Sequence, residues 1–171
     1  SPPGDNEELL ITTDLLVEGT HFNLEWCSPW QVGWKAMAAS VSDIAAMGGR
    51  PRWAVVSAGI RTRKRDSFAK QMAEGMRAAA EKYGFAIVGG DTVRAETSIV
   101  NVAMIGSAAR ERAMLRKGAR PGDLLFVTGG CGDSAAGFDI LRKKGRTRFT
   151  PAEKQLVDWH LAPEPSVQAG L

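Results

Sequence analysis

Three acidic side chains in this 171-residue sequence stand where a strand or helix pattern gives way to small residues, and none has an obvious local salt-bridge partner. They are Asp14, Asp43 and Asp91. Because an unpaired carboxylate is expensive to bury, each should meet a cation, a set of donors or water. Hard oxygen ligands without histidine or cysteine beside them suit Mg²⁺, which usually bridges to substrate phosphates. The three acids therefore indicate phosphoryl transfer, although the sequence has neither a Walker A pattern nor a kinase catalytic loop.

Each of these positions also has an ordinary structural explanation. Asp43 could cap a helix or face solvent at its end, and Gly89-Gly90-Asp91-Thr92 could be a simple turn, since Gly and Asp both favour turns. His21 follows a strand and could contact a ligand, but a structural histidine is at least as common there. The glycine-rich stretch 129–134 could hold phosphate at a helix start, although this pattern alone is weakly specific.

The elements that must position these residues can be predicted from periodicity. Residues 9–18 alternate as a strand, with Leu10, Thr12, Asp14 and Leu16 on one face and Leu9, Ile11, Thr13, Leu15 and Val17 on the other. A helix begins at Ser28-Pro29 and ends at Gly48-Gly49. One stripe of that helix carries little side-chain bulk, so its packing partner should approach the backbone closely; the stripe comprises Gly33, Ala36, Ser40 and Asp43.

Further along the chain, the pattern predicts four more strands and three more helices. Strands are expected over 53–60, 85–88 (short and buried) and 98–108, and a helix with Asp66 as its N-cap ends at Gly84. The composition changes after Arg110, where a loop rich in Gly, Pro and basic residues predicts a domain boundary, giving domains 1–118 and 119–171. A strand over 124–128 should lead into a helix ending at Lys144, and Thr150-Pro151-Ala152-Glu153 is a capping box that opens another helix.

The composition excludes several classes of protein. With 44% hydrophobic and 24% charged residues the chain is not disordered, and no apolar run is long enough to cross a membrane. The net charge of +3 suits anionic ligands but falls short of a nucleic-acid surface. The basic clusters 61–65 and 142–148 lack interleaved aromatics and indicate solvated loops or helix ends. Cys27 and Cys131 have no metal-ligand or disulfide spacing, as expected of reduced thiols in a cytoplasmic protein.

Five sequence blocks together resemble the thiamine-monophosphate kinase family over nearly the whole chain. The block Ser42-Asp43-Ile44-Ala45-Ala46-Met47-Gly48 is shared with aminoimidazole-ribonucleotide synthetase, selenophosphate synthetase and hydrogenase-maturation proteins, so it indicates only the superfamily. The block that singles out the kinase is Val17-Glu18-Gly19-Thr20-His21-Phe22. That block extends back through Thr12-Thr13-Asp14, and the other three blocks are Gly89-Gly90-Asp91-Thr92, residues 115–123 and residues 132–137.

This resemblance implies an ATP-dependent enzyme that phosphorylates thiamine monophosphate to thiamine diphosphate with several Mg²⁺ ions. By motif, the implied magnesium ligands are Thr12, Thr13, Asp14, Asp43 and Asp91; the implied ATP contacts are Gly90, Asp91 and Arg116; and the implied substrate contact is His21. No general base is implied, because phosphoryl transfer depends mainly on positioning and charge neutralisation.

The resemblance also implies the fold and the assembly. We expect an α+β fold of the aminoimidazole-ribonucleotide synthetase N-terminal type, with a mixed four-stranded sheet backed by helices and a homodimer that pairs two sheets into a barrel. An incomplete second α+β domain should follow. The family's upstream acidic metal loop has only a poor equivalent at Gly4-Asp5-Asn6, where Asp5 is interpreted as an ordinary loop residue. The later Ser-Asp motif is missing, and Pro163-Glu164-Pro165-Ser166 lacks the usual arginine.

Three alternatives stay open at this point. The chain could belong to another ATP-dependent branch of the superfamily, or it could be a non-catalytic dimerisation or ligand-binding unit. A nucleic-acid binder using the two basic clusters would lose affinity steeply with added salt. If the kinase interpretation is correct, the chain is expected to be partial and to have essentially no activity alone.

Overall fold

The computed structural model describes Gly4, residues 6–61 and residues 65–171. Of Arg65 it describes the backbone only. Its strands are β1 (Glu7–Val17), β2 (Arg50–Ile60), β3 (Ala86–Arg94) and β4 (Ile99–Ala109). Its helices are α1 (Pro29–Ala46), α2 (Arg65–Tyr83), α3 (Asp133–Lys144), α4 (Pro151–Leu161) and the short α5 (Val167–Gly170). Among the described residues, no helix is both long and apolar enough for a membrane span. Asp5 and most of the 61–65 basic cluster lie outside the described residues.

The four strands form one mixed sheet in the order β1-β4-β2-β3. Strand β4 is antiparallel to both of its neighbours, whereas β2 and β3 are parallel and are joined through α2. Consequently β1 and β3 are the two edge strands. The expectation of a mixed four-stranded sheet backed by helices is confirmed.

The core lies between the sheet and the helices α1 and α2. Its central side chains are fully buried and come from every layer: Met37, Val41 and Ile44 of α1, Met76 of α2, Ala58 and Ile60 of β2, and Val100, Val102 and Met104 of β4. The alternation predicted for β1 is confirmed, because Leu10 and Leu16 are buried while Leu9, Ile11 and Leu15 on the opposite side are exposed. The helices therefore cover one face of the sheet and leave the other open.

Capping and glycine contacts explain where α1 begins and how closely α2 approaches it. The Ser28 side chain accepts a hydrogen bond from the Gln31 amide, and the Gln31 side chain accepts one from the Ser28 amide, so the helix starts with a capping box at Pro29. A Cβ at Gly33 would lie 2.0 Å from the Met72 carbonyl oxygen, and one at Gly75 would lie 2.0 Å from the Trp30 carbonyl oxygen. The close approach predicted for the bare stripe of α1 is therefore present at Gly33.

The C-terminal helices pack on each other and back onto α1. Gly137 of α3 lies against the backbone of Leu156 of α4, and the predicted capping box at Thr150 and Glu153 is present. The Trp26 ring meets the Phe138 ring edge-on at 5.8 Å, and the Trp34 indole N–H donates to the Pro163 carbonyl at 2.8 Å. These contacts attach residues 133–165 to α1 and to the segment just before it.

Several predicted elements are wrong. The stretch 124–128 is not a strand: Leu124, Leu125, Phe126 and Val127 are 79%, 95%, 86% and 70% exposed, since no described strand pairs with them. Strand β3 is longer than predicted, runs through Gly89-Gly90-Asp91 rather than turning there, and is exposed because it is an edge strand. Asp66 is not an N-cap but lies in the first turn of α2.

Candidate phosphate and metal site

Thr12 and Asp43 meet where β1 passes the end of α1. The Thr12 hydroxyl donates to Asp43 Oδ2 at 2.6 Å, although the two residues are 31 positions apart in the chain. A cavity of about 490 Å³ opens beside this pair and is also lined by Arg116. Two predicted magnesium ligands and one predicted ATP contact therefore line one cavity, which combines oxygen ligands with a basic residue.

Within the described parts of the chain, Asp14 and Asp91 each accept a hydrogen bond from the amide of the next residue only. Asp14 Oδ1 accepts from the amide of Leu15 at 2.9 Å, and Asp91 Oδ1 accepts from the amide of Thr92 at 2.7 Å. Neither carboxylate forms an ion pair with any described residue. Both keep most of their acceptor capacity available, as residues that bind a cation would.

The sheet separates these two acids within one chain. Asp14 pairs with Val102, Val102 with Val56, and Val56 with Gly90, so Asp14 and Asp91 lie at nearly the same height on opposite edges. Three strand spacings make the distance between those edges ~14 Å. In the described part of the chain, no three His, Cys, Asp or Glu residues come together as a metal cluster. The three acids thus do not form one site in a single copy.

Thr13 lies on the open side of the sheet, away from the Thr12–Asp43 pair. Its hydroxyl and the side chain of Asn101 on β4 are within hydrogen-bond distance, 3.2 Å. Sequence reasoning missed Asn101, which pairs with Leu15 in the strand register and reaches Thr13 diagonally across the two strands.

Gly89 and Gly90 differ in what lies against them. A Cβ at Gly90 would lie 2.1 Å from the Val56 carbonyl oxygen, whereas a Cβ at Gly89 would have nothing within 4 Å. The missing side chain at Gly90 is therefore needed for pairing with β2, and the open approach to the backbone is at Gly89. This geometry gives a structural reason for Gly90 that the sequence alone did not supply.

His21 stands in a braced turn just after β1. Its Nδ1 accepts from the Val17 amide at 3.1 Å, and its carbonyl accepts from Lys35 Nζ at 3.0 Å. Glu18, next in the chain to Val17, accepts from Arg61 at 2.8 Å and from the Ser98 amide at 3.2 Å. Burial raises the pKa of the Glu18 carboxyl, but the hydrogen bonds from Arg61 and Ser98 outweigh it and leave that pKa below 4.5. No motif or spacing in the sequence indicated a role for Lys35.

The glycine-rich turn before α3 lines another cavity, of about 340 Å³. Gly132 caps the helix with a φ of 96°, a left-handed conformation that favours glycine. The Ser134 hydroxyl lies 3.1 Å from Nδ1 of His160, and burial lowers the pKa of that imidazole. The basic cluster 142–148 follows at the end of α3, where Arg142 pairs with Asp139 and Lys144 with Glu153, as expected of a solvated helix end.

The fold and these positions match one class of protein. The family described as AIR synthase related protein, N-terminal domain, matches residues 2–108, and the chain belongs to that family. Within it, the chain is a homologue of thiamine-monophosphate kinases. It is 39% identical to the Bacillus subtilis enzyme over 163 residues, which cover 94% of this chain and 50% of the relative. Identity to the Escherichia coli enzyme is 33%, again over 50% of its length.

Solved structures give the same result. The Aquifex aeolicus thiamine monophosphate kinase superposes with a TM-score of 0.87 at 37% identity, covering 95% of this chain and 54% of that one. The complex of AaThiL with AMPPCP and TMP superposes with a TM-score of 0.91 at 35% identity, covering 98% and 53%. A hydrogenase maturation protein, HypE, shares the fold with a TM-score of 0.69 at 22% identity. The chain spans about half the length of these relatives.

Proposed function

We propose that this chain carries the nucleotide- and magnesium-binding part of a kinase that uses ATP to phosphorylate thiamine monophosphate to thiamine diphosphate. The observation that carries this proposal is the single cavity shared by Thr12, Asp43 and Arg116. Homology to thiamine-monophosphate kinases supports the reaction, and the AaThiL complex with AMPPCP and TMP supports the two ligands.

The candidate ligands fit magnesium, because Thr12, Asp14, Asp43 and Asp91 all offer oxygen atoms. The acids that form no ion pair with a described residue can offer their charge to the cation. Thr13 would add a further hydroxyl. Bound Mg²⁺ would supply neutralisation of the charge on the reacting phosphates. Arg116, which lines the same cavity, would bind phosphate oxygens. Gly89 and Gly90, with Asp91, would let the nucleotide lie along β3, and His21 would contact the thiamine substrate.

Two copies of the chain would complete the site. Leu9, Ile11 and Leu15 on the open face of the sheet are 53%, 74% and 45% exposed, and Val55 on β2 is 43% exposed. Contiguous apolar exposure of this kind is typical of an interaction surface, and unpaired edge strands invite pairing. A homodimer that joins the β1 edge of one sheet to the β3 edge of the other would bring Asp14 of one copy towards Asp91 of the second.

A binding and turnover experiment tests the proposal. Calorimetric titration of the purified chain with AMPPCP should show binding that requires Mg²⁺, and product analysis with ATP and thiamine monophosphate should show little or no thiamine diphosphate. Nucleotide binding that is equally strong after chelation of all divalent ions would overturn the metal assignment. Turnover with another phosphoryl acceptor, but none with thiamine monophosphate, would favour a different branch of the superfamily.

A further inference from the structure

Lys35 is a cation in an unusual setting. It lies in the second turn of α1, is only partly exposed, and forms no ion pair with any described carboxylate. Burial lowers the pKa of its ammonium group. A partly buried cation without a counter-charge is unfavourable, and an apolar side chain of similar length would avoid that cost. Stability therefore does not explain why a lysine occupies position 35, and its contacts indicate another role.

Among the described residues, Lys35 makes one hydrogen bond, and it goes to the turn that holds His21. Its Nζ donates to the His21 carbonyl at 3.0 Å, across 14 positions of sequence. This bond ties the turn to α1, the helix that ends in the Ser42–Asp43 block. The orientation of the turn thus depends on α1 as well as on the sheet.

The backbone of the turn is closed by three further hydrogen bonds. The Val17 carbonyl accepts from the amides of Thr20 and His21 at 3.2 and 2.8 Å, and the Gly19 amide donates to the Phe22 carbonyl at 2.8 Å. Phe22 itself is buried, with 5% exposure. His21 nevertheless stays exposed, so the bracing fixes its backbone without covering its ring.

The imidazole of His21 is fixed as well. Because its Nδ1 accepts the Val17 amide proton at 3.1 Å, the neutral ring must carry its own proton on Nε2. With the amide, the carbonyl and Nδ1 all engaged, Nε2–H is the only polar group of His21 left for a ligand. This group can donate a hydrogen bond to an acceptor such as a phosphate oxygen.

We propose that Lys35 is a positioning residue: by holding the His21 carbonyl, it keeps His21 in the tautomer and orientation that present Nε2–H to an acceptor atom of the ligand. The orientation itself follows from the hydrogen bonds above, and its use on thiamine monophosphate rests on the proposed function. Lys35 acts through His21 and makes no contact of its own with the ligand.

Nitrogen-15 NMR of the imidazole rings tests this directly. In the wild-type chain, His21 should show one neutral tautomer with its proton on Nε2. Lys35→Met should give a mixture of His21 tautomers and at least tenfold faster exchange of the His21 amide proton. Lys35→Gln should do the same, because its shorter side chain cannot reach the His21 carbonyl. Lys35→Arg keeps a donor and should restore most of the wild-type signal. Lys70→Met, on the exposed surface of α2, is the matched control and should change nothing.

The remaining outcomes are also decisive. Wild-type tautomer and exchange in both Lys35→Met and Lys35→Gln would overturn the positioning role, as would loss of ligand binding in either variant without any change at His21. The Nε2 resonance of His21 is also recorded during titration with thiamine monophosphate and, separately, with inorganic phosphate. If neither ligand perturbs that resonance while the Lys35 variants behave as described, the positioning role stands and the assigned substrate contact of the proposed function fails.

Discussion

The Thr12 hydroxyl on β1 donates a 2.6 Å hydrogen bond to Asp43 Oδ2 at the end of α1. The bond holds the carboxylate in the wall of the cavity that Arg116 also lines. Among the described residues, no group donates to the second oxygen, Oδ1. Asp43 is thus held by one oxygen while the other is free to bind a cation, which is a preorganised arrangement for a metal ligand.

Replacing the Asp43 carboxylate with an amide should separate binding from folding. We expect Asp43→Asn to weaken Mg²⁺-dependent nucleotide binding by about 10- to 100-fold, because a charged ligand is lost where phosphate charge must be neutralised. The free energy of unfolding should change little, since Asp43 is exposed and the amide oxygen can still accept from Thr12. Calorimetric titration at low Mg²⁺ and denaturant unfolding measure the two quantities.

Asp139→Asn is the matched control, because Asp139 is also an exposed helical acid but lies on α3 and pairs with Arg142. It should leave nucleotide affinity unchanged. Unchanged affinity in Asp43→Asn itself would contradict the metal assignment of Asp43.

The sequence predicted most of the elements of the first 109 residues because their periodicity and caps are local properties. The Ser28 cap, the alternation of β1 and the bare stripe of α1 were all correctly interpreted for this reason. It could not predict that Asp14 and Asp91 lie on opposite edges, because strand order is set by non-local pairing. The failure at residues 124–128 has a similar cause: Leu-Leu-Phe-Val favours a strand, but a strand also needs a partner.

The two neighbouring glycines of β3 should respond differently to the same substitution. Gly90→Ala should destabilise the chain by about 2 to 4 kcal/mol, because its Cβ would overlap the Val56 carbonyl oxygen and its φ of 158° is rare for other residues. Gly89→Ala should change stability by no more than about 0.5 kcal/mol, since that Cβ meets open space. Denaturant unfolding of the pair provides the comparison, and equal costs would contradict the β2–β3 register.

Glu18→Gln should lower the free energy of unfolding by an amount that depends on pH. The folded-state pKa of Glu18 lies below its ordinary value of 4.5, so the carboxylate contributes stability that is present above pH 4.5 and is lost as the pH falls through the folded-state pKa. At neutral pH we expect a loss of about 1 to 3 kcal/mol, because the bonds from Arg61 and Ser98 are charge-assisted. The free energies of unfolding of the wild type and the variant should converge at acidic pH. A difference that stays constant with pH would show that the charge of Glu18 does not cause the loss of stability.

A single substitution on the open face of the sheet should test the homodimer. Ile11 is 74% exposed at the centre of the β1 edge, between Leu9 and Leu15. If a second copy covers this face, Ile11→Glu buries an unpaired carboxylate and should weaken association by at least about 100-fold. Sedimentation at tens of micromolar should then show a dimer for the wild type and a monomer for the variant. Gln71→Glu adds the same charge on the exposed side of α2 and should leave the dimer intact. A wild-type monomer at this concentration would contradict the dimer, and the completion of the site between two copies would fail with it.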